Sequence, residues 1–214
     1  IINCCEKRKK NVPVDKIFKK AYFFGYEFMV DENVLSPRPE SEILVEKAID
    51  YIKEKVFANP NKILTICDMC TGSGCIALAL KKQFPEAEVW AVDKSVGALK
   101  IASKNADETA LFVNFKQLDM LTDLDALDSD FDIVVSNPPY IMPSEKAEIS
   151  DEVLNFEPHM ALFVPENDPL IYYRAVAEFA FKCDSAVYFE INPLLSTQTC
   201  EMLMEIGFQE IEIK

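Results

Sequence analysis

Short apolar runs alternate with amphipathic segments along most of the chain. Apolar runs that predict β-strands lie at residues 63–68, 88–93, 111–119, 131–136, 186–191 and 208–213. Segments with apolar side chains every three or four positions predict helices at residues 74–84, 95–106, 167–182 and 193–207. Because the runs are apolar on both faces and are separated by helices, we expect an α/β fold with a doubly wound, mostly parallel sheet.

The first 56 residues follow a different pattern. Residues 39–56 predict a helix, because they carry one apolar stripe and begin with Pro39, which a first helical turn tolerates. Residues 21–35 predict a hairpin or an extended arm, and residues 1–20 predict the end of a helix.

The composition is that of a folded domain with a sizeable core. Of the 214 residues, 50% are apolar and 27% are charged, which excludes global disorder. No apolar run approaches the roughly 18 residues of a membrane span, and the first residues lack the order of a secretory signal. We therefore expect a cytoplasmic protein with no membrane contact.

The formal net charge of −14 argues against direct nucleic-acid binding, since a wide footprint needs Lys and Arg to replace phosphate counterions. The charge is uneven, because residues 1–20 hold seven basic and two acidic side chains. This basic start fits a solvated helix end, and it also fits a contact for RNA or an acidic partner.

The seven cysteines show no disulfide framework, which favours a reducing compartment. Cys67, Cys70 and Cys75 are spaced like metal ligands, but a strand and the turn after it rarely aim three thiols at one point. His159 is the single histidine, so a histidine-based metal site or catalytic triad has little support. We expect no metal.

Residues 68–74 combine an aspartate, a glycine-containing turn and the start of a helix. Gly72 and Gly74 permit a tight turn and a close approach of the backbone to a ligand, and the free N–H groups of the helix favour an anion. Asp93 ends the next strand, 19 positions after Gly74, where it can accept hydrogen bonds from ribose hydroxyls. This segment alone leaves NAD(H) and S-adenosylmethionine both open.

Residues 136–140, Ser-Asn-Pro-Pro-Tyr, follow another predicted strand and are the most specific signal in the chain. Two consecutive prolines stiffen the backbone and leave their carbonyls as acceptors. Asn137 adds a side-chain carbonyl and Tyr140 a flat ring, so the segment predicts a pocket for a planar NH2 group. Hydrogen bonds to both N–H groups would aim the nitrogen lone pair at an electrophile.

The residues with chemically reactive or polar side chains lie at the carboxyl ends of predicted strands, namely Asp68, Asp93, Asp119 and Asn137. In open α/β sheets, ligands bind outside the carboxyl ends of the strands, so we expect one shared site. Residues 36–42 place prolines on both sides of Arg38 at the start of the first long helix, which simple capping would explain.

The chain resembles the HemK/PrmC family of N5-glutamine methyltransferases, which modify peptide chain release factors. The resemblance rests on SPRPESE (36–42), DMCTGSGCIALAL (68–80), AVDKSVGALKIASKNA (91–106), FDIVVSNPPYI (131–141), FEPHMALFVPENDPLIYYR (156–174) and FEINP (189–193). The NPPY tetrapeptide alone is shared with other amino-group methyltransferases, including DNA adenine enzymes.

The resemblance implies a class I S-adenosylmethionine-dependent methyltransferase fold, which is Rossmann-like and has seven strands. It implies that residues 1–35 are a remnant of an N-terminal helical domain plus a linker arm or hairpin. Residues 36–214 would form the catalytic domain, with the family's final strand hairpin missing.

It also implies the site. The cofactor would be S-adenosylmethionine, with S-adenosylhomocysteine as product, held by Asp68, Cys70, Thr71, Gly72, Ser73, Gly74, Asp93, Lys94, Asp119, Met120 and Asn137. The methyl-accepting glutamine would be bound, and the transfer catalysed, by Asn137, Pro138, Pro139 and Tyr140, with Phe23 closing over the site. Departures from the family pattern are Cys70 in place of a usual glycine, Ser36 in place of an apolar residue, and Pro169 where glycine is common.

The expected reaction is methyl transfer to the glutamine of the Gly-Gly-Gln loop of a release factor, by a monomeric enzyme. One alternative is a nucleic-acid adenine N6 methyltransferase, with adenine in the same pocket. Others are an NAD(P)-binding oxidoreductase, supported only by the glycine turn and Asp93, and a non-catalytic binding module.

Overall fold

The computed structural model describes residues 2–127 and 130–214. The chain begins with two short helices, α1 (Ile2–Lys9) and α2 (Val14–Phe18). An antiparallel hairpin follows, formed by β1 (Lys20–Phe23) and β2 (Tyr26–Met29). The hairpin prediction is confirmed, whereas the single helix end expected over residues 1–20 is in fact two helices.

The helices of the remainder are α3 (Glu40–Ala58), α4 (Cys75–Gln83), α5 (Val96–Thr109), α6 (Asp151–Phe156), α7 (Ile171–Lys182) and α8 (Ser196–Ile206). The strands are β3 (Thr65–Met69), β4 (Glu88–Asp93), β5 (Asn114–Gln117), β6 (Ile133–Ser136) and β7 (Ala186–Phe189). They form one parallel sheet in the order β5-β4-β3-β6-β7. The chain builds outward from β3 to β5 and then restarts on the other side of β3, so the strand order switches between β3 and β6.

Alternate side chains of the strands enter different cores, as a sheet covered on both faces requires. Ile66 of β3 packs with α3 and α4, whereas its neighbour Cys67 packs with α7. The hairpin contributes to the first of these cores through Phe23 and Phe28, each 1% exposed. The doubly wound α/β prediction is confirmed.

The strand predicted at residues 208–213 is wrong, because these residues form no strand. The N–H of Phe208 bonds Leu203 O at 3.0 Å and so closes the end of α8. The Phe208 ring packs on Phe181 at 5.5 Å between centroids. Within the described residues the main sheet has five strands and not seven. None of the described helices is long and apolar enough to cross a membrane.

Candidate active site

A cleft opens at the carboxyl ends of β3, β4 and β6, at the switch in strand order where ligands bind in open α/β sheets. It encloses about 1020 Å³, counting its open mouth. It is lined by Asn33, Val34, Leu35, Ser36, Pro37, Arg38, Ser41, Cys70, Thr71, Gly72, Ser73, Cys75, Ile76, Val92, Asp93, Lys94, Ser95, Ala98, Leu118, Asp119, Met120, Asn137, Pro139, Pro158, Met160, Ala161 and Tyr172. The glycine turn and the segment after β6 therefore share one cleft.

The glycine turn between β3 and α4 has three residues in the left-handed region. They are Cys70 (φ 63°), Gly72 (φ 55°) and Gly74 (φ 81°). Cys70 thus takes a conformation that glycine adopts more easily. At Gly74 a Cβ would lie 3.0 Å from Ala102 Cβ, so the absence of a side chain lets α4 approach α5 closely.

Asp68 holds this turn through hydrogen bonds and does not line the cleft. Its carboxylate is completely buried and accepts hydrogen bonds from Thr71 Oγ1 at 2.6 Å and from Ala77 N at 3.1 Å. Burial raises the pKa of Asp68 to about 7. Asp68 was expected to touch the cofactor, but its hydrogen bonds are with Thr71 of the turn and with Ala77 of α4.

Asp93 at the end of β4 does line the cleft. Its Oδ2 accepts from Gly72 N at 2.9 Å and its Oδ1 from Ser95 N at 2.8 Å. Burial raises the pKa of Asp93 above its ordinary value. Each oxygen retains a lone pair for a further donor, such as a ribose hydroxyl.

Lys94 and Asp119 form an ion pair of 2.6 Å at the rim. The hydrogen bond from Lys94 is the main cause that lowers the pKa of Asp119. Met120, only 7% exposed, adds an apolar surface beside them. This part of the cleft combines an apolar floor with a charged edge.

The segment after β6 places Asn137 and Pro139 on the cleft, whereas Pro138 and Tyr140, which were expected there as well, are not among its lining residues. Ser136 Oγ donates to Met69 O at 2.6 Å, which ties β6 to β3 where the segment begins. Asn137 Nδ2 donates to Ser41 Oγ at 3.1 Å.

Residues 36–38 and Ser41 form one wall of the cleft, and their role exceeds helix capping. Pro39 precedes α3 and provides no side-chain cap. Instead, the buried Glu157 accepts hydrogen bonds from Ser36 N at 3.2 Å and from an Arg38 nitrogen at 3.1 Å. This contact holds the wall against the segment that follows α6.

Two buried hydroxyls belong to residues that line the cleft. Ser36 Oγ and Ser73 Oγ have no hydrogen-bond partner within the described part of the chain, but both oxygens are covered by protein atoms. The left-handed turn and Asp93 do border the cleft, and they fit a nucleoside-containing cofactor such as S-adenosylmethionine.

Sequence reasoning missed several residues of this site. Ser41 and Tyr172 line the cleft, although only their neighbouring motifs had drawn attention. Glu190 does not line the cleft, but its carboxylate accepts hydrogen bonds from Tyr140 OH and Ser41 Oγ. Conversely, Phe23 is not brought to the cleft, because its ring packs in the core beside Phe28 at 6.3 Å between centroids.

The described residues contain no cluster of three or more His, Cys, Asp or Glu side chains placed to hold a metal ion. All seven cysteines are free thiols.

Comparison with solved structures defines the class of fold. The ribosomal protein L11 methylase from Lactobacillus delbrueckii subsp. bulgaricus is 21% identical, with a TM-score of 0.52 over 86% of this chain and 77% of its own. An S-adenosylmethionine-dependent methyltransferase from Agrobacterium tumefaciens is 16% identical, with a TM-score of 0.56 over 87% of this chain and 57% of its own. The fold is that of a Rossmann-like methyltransferase.

Sequence comparison then gives the family. The profile of the family described as "Methyltransferase small domain" matches residues 46–157. The release factor glutamine methyltransferase of Flavobacterium psychrophilum is 44% identical over 96% of this chain and 72% of its own length. That of Bacteroides thetaiotaomicron is 37% identical over 100% of this chain and 78% of its own. The chain belongs to the family of release factor glutamine methyltransferases.

Proposed function

We propose that this protein transfers a methyl group from S-adenosylmethionine to the side-chain nitrogen of a glutamine in a peptide chain release factor. One observation carries this proposal: Asn137 opens onto the same cleft as the glycine turn and Asp93. A methyl donor and an amide acceptor can therefore meet in one cavity. Membership of the release factor glutamine methyltransferase family supports the same reaction.

The cofactor would lie across the carboxyl ends of β3 and β4. Residues 70–74 would hold its methionine end, with Asp68 keeping the turn in shape. Asp93 would accept hydrogen bonds from the ribose hydroxyls, and Asp119 and Met120 would flank the adenine, beside Lys94. When bound, the cofactor supplies a methyl group on a sulfonium. No metal is needed for such a transfer.

The target glutamine amide would enter beside residues 137–140. Asn137 Oδ1 would accept one of its N–H groups, and Pro139 would lie against its plane. The Pro138 carbonyl would accept the other N–H group and the Tyr140 ring would help to fix the plane, although neither residue lines the cleft in this structure. An amide nitrogen is a poor nucleophile because its lone pair is delocalised. Two acceptors would return electron density to the nitrogen and orient its lone pair, so catalysis would rest on positioning and electrostatics.

The substrate would be the Gly-Gly-Gln loop of the release factor, which acts in the cytoplasm. We propose that residues 1–35 help to hold this protein partner, and that residues 36–214 carry the chemistry. Apart from α1, whose basic side chains Lys7, Arg8 and Lys9 are exposed, the net charge of −14 opposes direct nucleic-acid binding. We expect the enzyme to act as a monomer.

The test is a methyl-transfer assay with the purified protein, labelled S-adenosylmethionine and a purified release factor, followed by peptide mass spectrometry. The label is expected on the glutamine of the Gly-Gly-Gln loop. The Asn137→Ala variant should bind S-adenosylhomocysteine as the parent protein does, yet lose methyl transfer. The matched control is Asn59→Ala, an exposed asparagine at the far end of α3, which should keep full activity.

Two results would refute the proposal. One is full activity of the Asn137→Ala variant. The other is label on an adenine of nucleic acid and none on the release factor. A thermal shift with NADH and none with S-adenosylhomocysteine would favour an oxidoreductase instead.

A further inference from the structure

A chain of hydrogen bonds runs behind Asn137 and ends on a single carboxylate. Asn137 Nδ2 donates to Ser41 Oγ at 3.1 Å, and Ser41 Oγ donates to Glu190 Oε2 at 2.5 Å. Tyr140 OH donates to the other oxygen, Glu190 Oε1, at 2.9 Å. These side chains come from three distant segments of the sequence, so the contact is a product of the tertiary fold.

Glu190 determines which group donates in each bond of this hydrogen-bonded series. A carboxylate only accepts hydrogen bonds, so the single Ser41 proton must point to Glu190. The Ser41 oxygen can then only accept from Asn137. An amide presents its NH2 and its carbonyl on opposite branches, so directing Nδ2 to Ser41 leaves Oδ1 of Asn137 for the cleft.

Glu190 is itself held rigidly just after β7. Its N–H bonds Ser136 O at 3.1 Å, and its carbonyl accepts from Tyr173 OH at 3.3 Å. The Tyr140 phenol donates to Glu190, and burial raises its pKa above the ordinary value. Ser41 is only 3% exposed, which protects the chain from competing water.

We propose that Glu190 is a positioning residue that makes the pocket select an amide over a carboxylate. By fixing the Ser41 hydroxyl, it fixes Asn137 with its carbonyl oxygen towards the substrate. An acceptor in that place binds the N–H of glutamine and repels the carboxylate of glutamate. The inference rests on the proposed function, in which Asn137 receives the glutamine amide.

Replacement of Glu190 by glutamine can reverse the direction of these hydrogen bonds with almost no change in the shape of the side chain. The new amide can donate to Ser41 Oγ, which frees the Ser41 proton to donate to Asn137 Oδ1. Asn137 can then turn its NH2 to the cleft, where it would bind a carboxylate. Ser41→Ala removes the link, and Ser41→Thr keeps the hydroxyl.

The experiment measures kcat with a purified release factor, the Kd for S-adenosylhomocysteine, and inhibition by a release factor whose target glutamine is replaced by glutamate. For Glu190→Gln we expect kcat to fall about 100-fold, as for a misplaced catalytic group, with the Kd unchanged. The glutamate-bearing protein should inhibit this variant more strongly than the parent enzyme. The kcat of Ser41→Ala should also fall, whereas that of Ser41→Thr should be close to the value of the parent enzyme.

The inference would be overturned if Glu190→Gln left both kcat and inhibition by the glutamate-bearing release factor unchanged. It would also be overturned if this variant lost S-adenosylhomocysteine binding to the same extent as kcat. If that variant does not fold, equal activity of Ser41→Ala and Ser41→Thr would overturn it, and loss in Ser41→Ala alone would support it. Failure of the parent enzyme to methylate glutamine is a separate result, which refutes the proposed function.

Discussion

Lys16 and Glu157 form an ion pair of 2.9 Å in which both side chains are almost completely buried, at 7% and 1% exposed. Lys16 lies on α2 and Glu157 follows α6, so the pair joins the N-terminal segment to the rest of the fold. Lys16 also donates to Asp31 O at 2.8 Å, and Glu157 also holds Arg38 at the cleft wall. The shape of that wall therefore depends on an N-terminal side chain.

The first prediction concerns this pair. Glu157→Gln should lower the free energy of unfolding by about 3 kcal/mol, because it leaves the Lys16 ammonium buried without a counter-charge. The matched control is Glu152→Gln, which removes the exposed ion pair with Arg8 and should cost less than about 1 kcal/mol. Denaturant unfolding of both variants gives the comparison, and equal costs would contradict a special role for the buried pair.

The second prediction concerns the pH dependence set by Asp68. Its pKa is about 7 in the folded protein against an ordinary 3.8, so the folded state keeps a proton that the unfolded state loses. The contribution of this carboxyl to stability is therefore complete below the unfolded pKa and is lost as pH rises to about 7. Asp68→Asn does not titrate.

The free energy of unfolding of Asp68→Asn, minus that of the parent protein, should therefore rise by about 3 kcal/mol between about pH 5 and about pH 8. Denaturant unfolding at a series of pH values measures this difference, which cancels the titration of all other groups. A difference that stays constant with pH would mean that Asp68 ionises normally in the fold.

The third prediction uses the end of α5. Ala110 is exposed and lies in the left-handed region at φ 51°, ψ 36°, a conformation that suits glycine at a helix C-terminus. Ala110→Gly should raise the free energy of unfolding by about 0.5 to 1 kcal/mol. Lys104→Gly, at an exposed position within the same helix, should lower it by about 1 kcal/mol. Thermal or denaturant melts that show the same sign for both would rule out the conformational explanation.

The fourth prediction concerns Asn105, which is 2% exposed and connects the hairpin to the glycine turn. Its Oδ1 accepts from Met29 N at 2.7 Å, and its Nδ2 donates to Met29 O at 3.1 Å and Ser73 O at 2.8 Å. Asn105→Ala should lower the free energy of unfolding by about 3 kcal/mol, because it leaves backbone groups of both segments without hydrogen-bond partners.

The same variant should weaken S-adenosylhomocysteine binding several-fold, since Ser73 lies in the turn that lines the cleft. Calorimetry measures the affinity. Asn155→Ala is the control, because it removes one exposed contact to Asp151 O and should leave both stability and affinity within about 0.5 kcal/mol. Undiminished affinity in Asn105→Ala would show that the turn keeps its shape without this support.

The features that the sequence predicted are local ones. The alternation of strands and helices follows from which positions are apolar. The strand prediction for residues 208–213 was wrong, because these residues do not pair with either edge strand of the sheet, β5 or β7. The glycine turn could be placed because Gly72 and Gly74 mark left-handed backbone directly. The position of Asn137 followed in the same way from the strand that precedes it.

The sequence by itself thus determined most of the elements of the α/β core, the chemistry at the strand ends and the class of pocket. The tertiary structure alone decided which distant side chains support that chemistry. Ser41 and Glu190 are 149 positions apart, and Phe23 lies in the core and not over the cleft. Periodicity records whether a side chain is buried, whereas its partners are set by the order of the strands in the sheet, which no local pattern encodes.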